Sequence, residues 1–310
     1  MKIITLTLNP AFDVHCSAPE LTLYRENLAT ITSIEAGGKG INISRALIQN
    51  GVDNLAFLLV GEENGEDFLR MLSADGIPYR HLSVKGRIRE NITCHTAGAP
   101  ETRISFRGFS VDAPLWEQVK KTLLPLAEDG TVITLTGRLP SGPSMDAVKV
   151  LLGELSHRGA RIVIDSRSFS LEDLRQVKPF LIKPNQEEIS EYLGRQVSRF
   201  EEILSAAKDL HRDGIEHVMV SLGEGGAMLV CADGAFVATP PKIHALSTIG
   251  AGDSAIGGFL AAWSAGESSA LCLRRTVAFG SAACLSEGTK PPRKEDVERL
   301  LPLITIRSLS

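Results

Sequence analysis

Residues 247–254, Ser-Thr-Ile-Gly-Ala-Gly-Asp-Ser, pair a turn suited to binding phosphate with a carboxylate that a resting phosphate would repel. Gly250 and Gly252 let the backbone bend so that its N–H groups converge, and a helix predicted from Asp253 to about Ala265 adds the positive end of its dipole. Asp253 at the mouth of such a site makes better sense as proton acceptor for an attacking hydroxyl, which implies phosphoryl transfer. A lone Gly-x-Gly-Asp also serves as a plain N-cap on an apolar helix, so the rest of the chain must decide.

A second glycine-rich loop, residues 35–42 (Glu-Ala-Gly-Gly-Lys-Gly-Ile-Asn), enters another predicted helix with Asn42 in its first turn. Lys39 and Asn42 aimed into one mouth favour a polar, anionic ligand. Asp13, after Asn9-Pro10-Ala11-Phe12, suits sugar hydroxyls, because a carboxylate accepts paired hydrogen bonds. Arg89 and Asn91 fall in a stretch expected to lie close by, so the second substrate reads as a polyol.

The elements that must position these groups alternate along the chain. Apolar runs at 56–60, 131–136, 161–165, 180–183 and 217–221 suit strands covered on both faces. Amphipathic helical patterns at 42–49, 65–74, 114–126, 144–157, 187–193 and 201–211 lie between them. The expectation is one α/β domain over residues 1–310 with a doubly wound, mainly parallel sheet. Two stretches, about 11–35 and 87–108, break the rhythm and read as short strands that pair with each other. They predict a small β-sheet lid over the carboxyl edge of the main sheet, where open α/β sheets bind ligands.

Composition narrows the partners. A net charge of −4 with interspersed signs leaves no basic footprint for nucleic acid. No apolar run approaches the length of a bilayer span, and residues 1–8 read as an alternating strand and not a signal sequence. The expected location is cytoplasmic and the expected partner a small molecule. Five cysteines, odd in number and in no C-x-x-C pair, argue against a disulfide framework or structural zinc.

Residues 36–44 (Ala-Gly-Gly-Lys-Gly-Ile-Asn-Ile-Ser) and 247–259 resemble the two signature motifs of the PfkB/ribokinase family of sugar kinases. Thr7 to Asp13, Ile182 to Glu188, Val220 to Ala227 and Glu287-Gly288-Thr289 extend the resemblance over nearly the whole chain. It is greatest to the branch that phosphorylates sugar phosphates. The resemblance implies a ribokinase-like fold, with ATP and Mg²⁺ as cofactors. It makes Asp253 the general base and sets the N–H groups of Gly250, Ala251 and Gly252 on the transferred phosphoryl group. It places Mg²⁺ by Asn185 and Glu188 through water, and Lys183 near the nucleotide phosphates. Ser221, Gly223, Gly226, Ser247, Gly280 and Gly288 fall to the nucleotide side, the last two in or beside the stretch 281–288 that walls the adenine. Asp13, Gly38 and Asn42 would hold sugar hydroxyls, and Lys39, Arg89 and Asn91 the phosphate already on the sugar. It also implies a homodimer whose lids clasp.

Departures concentrate positive charge. The branch usually carries Ser-Gly-Ser-Leu-Pro where this chain has Thr136-Gly137-Arg138-Leu139-Pro140, and Arg103 and Arg107 replace an apolar or acidic segment. Arg138 is therefore expected in the acceptor cleft. The expected acceptor is a ketohexose phosphate: fructose 1-phosphate first, then tagatose 6-phosphate or fructose 6-phosphate. An unphosphorylated sugar or nucleoside would leave Lys39 and Arg89 without their anion. A non-catalytic binding protein would not need Asp253 in an intact Gly-Ala-Gly turn.

Overall fold

Strand β1 (Ile3–Thr7) is buried along its whole length, so its alternation of apolar residues and threonines does not mark a solvent face. Ile4 and Leu6 enter one core while Thr5 points to the other side, where its hydroxyl meets Ser44 Oγ at 2.7 Å. A buried hydroxyl costs little once paired, which lets β1 sit in the middle of the sheet. The computed structural model describes residues 2–98, 101–286 and 288–309.

The chain continues through β2 (Ala11–Ala18), β3 (Thr30–Gly37), α1 (Lys39–Gln49), β4 (Leu55–Gly61), α2 (Gly65–Ala74), β5 (Tyr79–Val84), β6 (Arg89–Thr96), β7 (Thr102–Ser105) and α3 (Ala113–Leu123). There follow β8 (Val132–Thr136), α4 (Met145–His157), β9 (Arg161–Asp165), α5 (Leu171–Val177), β10 (Leu181–Ile182), α6 (Gln186–Leu193), α7 (Phe200–Arg212) and β11 (His217–Ser221). The remainder holds β12 (Ala227–Cys231), β13 (Gly234–Thr239), α8 (Ala251–Ser264), α9 (Ser269–Ala283), α10 (Lys294–Leu300) and β14 (Thr305–Leu309).

Ten strands form the large sheet in the order β14-β13-β12-β11-β10-β9-β8-β1-β4-β5. All neighbours from β11 to β5 run parallel, and β12, β13 and β14 close the other end antiparallel. The strand order reverses between β1 and β8, the switch point at which such sheets open a crevice. One face is covered by α2 to α7, with Phe68, Trp116, Leu151 and Ile203 in the core; the other by α1, α8, α9 and α10, with Leu47, Phe259 and Phe279. This is the doubly wound α/β expectation.

Two predicted elements change at their ends. The pattern at 114–126 is α helix only to Leu123, because Pro125 lacks a donor and the segment Leu124–Leu126 tightens into a 3₁₀ turn. The run at 180–183 pairs only through Leu181 and Ile182.

The small sheet has the order β3-β2-β6-β7, with β2 parallel to β6 and Asp13 in register with Asn91. Alternation sorts its faces. Asp13, His15, Glu35, Asn91 and Arg103 share one face by register, and Val14, Cys16, Ile31, Ile34, Ile92 and Ile104 share the other.

Candidate active site

The strand ends of the large sheet deliver the charged groups. Helix α8 starts two residues earlier than expected, with Gly250 as N-cap at φ 75°, a conformation open to glycine at no steric cost. Asp253 therefore occupies the third helical position and is not the cap. Its carboxylate is buried and accepts a hydrogen bond from Asn42 Nδ2 at 2.8 Å, joining the two glycine-rich loops across 211 residues. Arg45, one turn along α1, donates to Asn42 Oδ1 at 3.3 Å and fixes the amide's orientation. Burial pushes the Asp253 pKa up to about 6, against the pull of Lys39, the Asn42 hydrogen bond and Lys183, and Asp165 adds to the rise.

Asp165 belongs to this charged cluster, and sequence reasoning missed it. It ends β9, is 4% exposed, and lies with Oδ2 2.8 Å from Lys39 Nζ and Oδ1 3.8 Å from Lys183 Nζ. Burial alone would raise its pKa, but Lys183 and Lys39 outweigh it and hold the carboxyl below its usual range. Burial disfavours the Lys39 charge too, and Asp165 and Asp253 more than restore it. One carboxylate thus ties a lysine from each glycine-rich side of the cleft. A signal existed: an aspartate closing the apolar strand Arg-Ile-Val-Ile-Asp, at the edge where ligands bind. Lys39, expected beside Arg89, reaches to Asp165.

The first turn of α8 accommodates Lys183 closely, since a Cβ on Gly252 would stand 3.1 Å from Lys183 Nζ. The Ala251 N–H donates to the Thr248 carbonyl at 3.3 Å and closes the turn. Ser247 Oγ accepts from the Ile249 N–H at 3.2 Å and shapes the approach. Gly38 caps α1 at φ 132°, where any side chain would strike Thr7 Cγ2 at 2.6 Å.

Asn185 and Glu188 form a reciprocal capping box on α6, with Glu188 N–H on Asn185 Oδ1 at 2.8 Å and Asn185 N–H on Glu188 Oε2 at 3.0 Å. Arg167 Nε takes the other Glu188 oxygen at 3.1 Å. A bridge pairs Asn185 with Ser221, setting β11's end beside the box. Gly223 opens the following 3₁₀ turn, and Gly226 packs against the Ala238 carbonyl, where a Cβ would lie 2.0 Å away. Gly280 lies within α9 against Ala251 and Ala255, behind the turn, so its contact is helix packing. Gly288 faces His15 and Glu35 of the small sheet, and Thr289 donates to Glu35. Glu287 lies outside the described residues.

On the small sheet Asp13 Oδ1 accepts from Asn91 Nδ2 at 2.7 Å, and Arg89 Nη1 donates to Asn91 Oδ1 at 2.9 Å. Burial lowers the Arg89 pKa; Asp13 opposes that, while nearby Arg138 and Arg103 add to it. Arg138 is thus near enough to act on the Arg89 charge. Arg107 is exposed on the segment after β7.

A buried base near neutrality, at the positive end of a helix and beside paired lysines, can activate a hydroxyl next to a phosphate site. Residues 16–296 match the model of the pfkB family carbohydrate kinases. The chain belongs to the pfkB family. Its carbohydrate kinase character makes it a phosphotransferase acting on a sugar hydroxyl. The 1-phosphofructokinase of Escherichia coli K12 is 34% identical over 91% of this chain and 90% of its own length. That of Bacillus subtilis is 32% identical over 99% and 100%. The crystal structure of phosphofructokinase-2 from Escherichia coli with substrates and products superposes at a TM-score of 0.91, with 28% identity, over 97% of this chain and 99% of that one. Among the described residues no helix is long and apolar enough to cross a membrane.

Proposed function

We propose that this pfkB-family chain is a 1-phosphofructokinase, transferring the γ-phosphoryl group of ATP to fructose 1-phosphate to give fructose 1,6-bisphosphate. The observation that carries the reading is Asp253, held by Asn42 at the Gly250–Gly252 turn with its pKa raised to about 6. The names of the relatives at 34% and 32% identity support the acceptor.

In this reading Asp253 takes the proton of the attacking hydroxyl as the phosphorus–oxygen bond forms. The N–H groups of the 250–252 turn receive the developing charge, and Lys183 steadies the nucleotide phosphates. Asp13, Gly38 and Asn42 orient the sugar hydroxyls, Arg89, Arg138 and Lys39 form the cationic side of the acceptor site, and the Asn91 amide lies beside Arg89. Ser221, Gly223, Gly226, Ser247 and Gly288 shape the nucleotide side; Gly280 acts only through the packing of α9. Asn185 and Glu188 fit an outer-shell role for Mg²⁺: they offer hard oxygens, and among the described residues no cluster of three His, Cys, Asp or Glu could hold the ion directly. Bound with the nucleotide, Mg²⁺ would neutralise phosphate charge.

The small sheet acts as a lid, its polar face toward the acceptor. Its outer face exposes Ile31 (60%), Ile34 (45%) and Ile104 (54%), and a second copy of the chain covers it in the same reading. A second acceptor reading, fructose 6-phosphate, is favoured by the likeness to phosphofructokinase-2.

The test is ATP- and Mg²⁺-dependent ADP release with fructose 1-phosphate, fructose 6-phosphate, tagatose 6-phosphate and the free sugars. Turnover led by fructose 1-phosphate sustains the proposal. A lead for another sugar phosphate moves the acceptor assignment, and turnover of free sugars alone overturns it.

A further inference from the structure

Arg103 stands where a sugar should touch Asp13. Strand β7 lies beyond β6 as seen from β2, yet the guanidinium reaches back so that Nη2 is 3.5 Å from Asp13 Oδ1. That oxygen already accepts from Asn91, and the other, Oδ2, lies over Gly37, where a Cβ would fall 2.1 Å away. The carboxylate is fixed in the sheet at 8% side-chain exposure, while the guanidinium is 45% exposed at the solvent margin. Such a half-solvated pair exchanges easily. A sugar whose hydroxyls take both Asp13 oxygens must displace Arg103.

The displaced guanidinium has nowhere favourable to go inside the cleft. The half-buried Arg89 spends Nη1 and Nη2 on neutral oxygens: Asn91 Oδ1, the Phe106 carbonyl and the Asn9 carbonyl. Its Nε is buried without a hydrogen-bond partner among the described residues. Arg138 and Arg103 both repel the Arg89 charge, and Asp13 is the anion that offsets them. Hydroxyls on Asp13 leave its charge in place but part Arg103 from its contact, beside two further guanidiniums that repel it.

We propose that Arg103 gates Asp13, so that a sugar gains the carboxylate only when it carries an anionic group that takes the guanidinium over. The inference rests on reading this cleft as a sugar-phosphate acceptor site. A phosphorylated sugar exchanges one ion pair for another, in a geometry that suits guanidinium and phosphate. An unphosphorylated sugar breaks the pair and strands Arg103 beside Arg89 and Arg138. Discrimination then comes from a penalty on the wrong ligand as well as from attraction to the right one. A plain phosphate ligand would behave differently: its loss would weaken the sugar phosphate and leave the free sugar untouched.

The experiment measures kcat/KM and calorimetric Kd for fructose 1-phosphate and for fructose, with and without inorganic phosphite, in the wild type, Arg103→Gln and Arg103→Lys. In Arg103→Gln the gate predicts kcat/KM for fructose 1-phosphate to fall about tenfold, the order of one charge-assisted contact, and that for fructose to rise about threefold or more. Phosphite should stimulate fructose turnover in the wild type and not in Arg103→Gln, and Arg103→Lys should keep most of the discrimination. Fructose kinetics unchanged or worsened in Arg103→Gln, with the wild type active on fructose 1-phosphate, overturns the gate and leaves the acceptor reading standing. A wild type that turns over no sugar phosphate overturns the acceptor reading and the gate together.

Discussion

The cleft has two sides built by opposite means. Its floor, the carboxyl edge of the large sheet, buries two aspartates, Asp165 and Asp253, among lysines whose charges they share. Its other side, the small sheet, buries one aspartate, Asp13, and answers it with a half-exposed arginine. Buried charges are tightly coupled and costly to disturb, whereas solvated ones exchange with little loss. In the proposed reading bond making falls to the floor, and the small sheet adds recognition of the acceptor. Disrupting each side should accordingly produce effects of different size and kind.

The largest effect belongs to Asp253→Asn. Losing a general base costs about 10²–10⁴-fold in kcat. The same change should stabilise the fold. The Asp253 pKa is raised above its unfolded value of 3.8 to about 6, so the folded state binds that proton more tightly and the ionised carboxylate opposes folding at pH 7. About two units correspond to about 3 kcal/mol as an order of magnitude, part of which the amide recovers beside Asn42. Urea melts at pH 7 should show the variant more stable, with the gap closing as pH falls from about 6 to about 4. In the wild type kcat/KM should fall about tenfold per unit below pH 6. A flat acid limb would remove Asp253 from the role of base.

Asp165→Asn, on the same floor, should act with the opposite sign. This carboxyl is held below its usual pKa by Lys183 and Lys39, so its ionised form stabilises the fold above pH 3.8 and that contribution is lost in stronger acid. Removing the charge strands two lysines, a loss of about 3 kcal/mol by comparison with broken buried pairs. Chemical melts at pH 7 check it. A stability within 0.5 kcal/mol of wild type, the range of ordinary surface changes, would mean that the lysines are solvated and the floor no different from the small sheet.

The floor and the small sheet were unequally legible in the sequence. Local patterns announced the alternating elements; the turn at 247–254 suggested phosphate chemistry, because a turn, a helix start and a carboxylate lie within eight residues, and the loop at 35–42 suggested a polar, anionic ligand. Pairing of the stretches at 11–35 and 87–108 followed from their break with helical period. What stayed hidden is held together over long distances. Asp165 meets Lys39 across 126 residues, and Arg103 meets Asp13 across two strand registers that no local pattern reports. The burial of β1 was equally hidden, since the hydroxyl that pairs with Thr5 comes from Ser44 on α1, 39 residues away. Helix α8 starts earlier than expected because Gly250 caps it through its backbone conformation, so that Asp253 is not the cap.

The smallest effect on the single chain, and the sharpest test of the small sheet, comes from Ile34→Lys with Ile104→Lys. Both side chains lie on the outer face at about half exposure, so charging them should cost the monomer only about 0.5 kcal/mol each. If a second copy covers that face, light scattering should change from dimer to monomer, because two unpaired charges on each copy would be buried at once. The kinetic consequence separates the sides of the cleft. An uncovered small sheet should loosen around Asp13 and raise KM for the acceptor severalfold, while the pH limb set by Asp253 stays near 6. A monomer with unchanged KM would mean that the small sheet holds its shape alone. A limb that moved with the dimer would mean that the two sides are not independent, and the division between bond making and recognition would have to be given up.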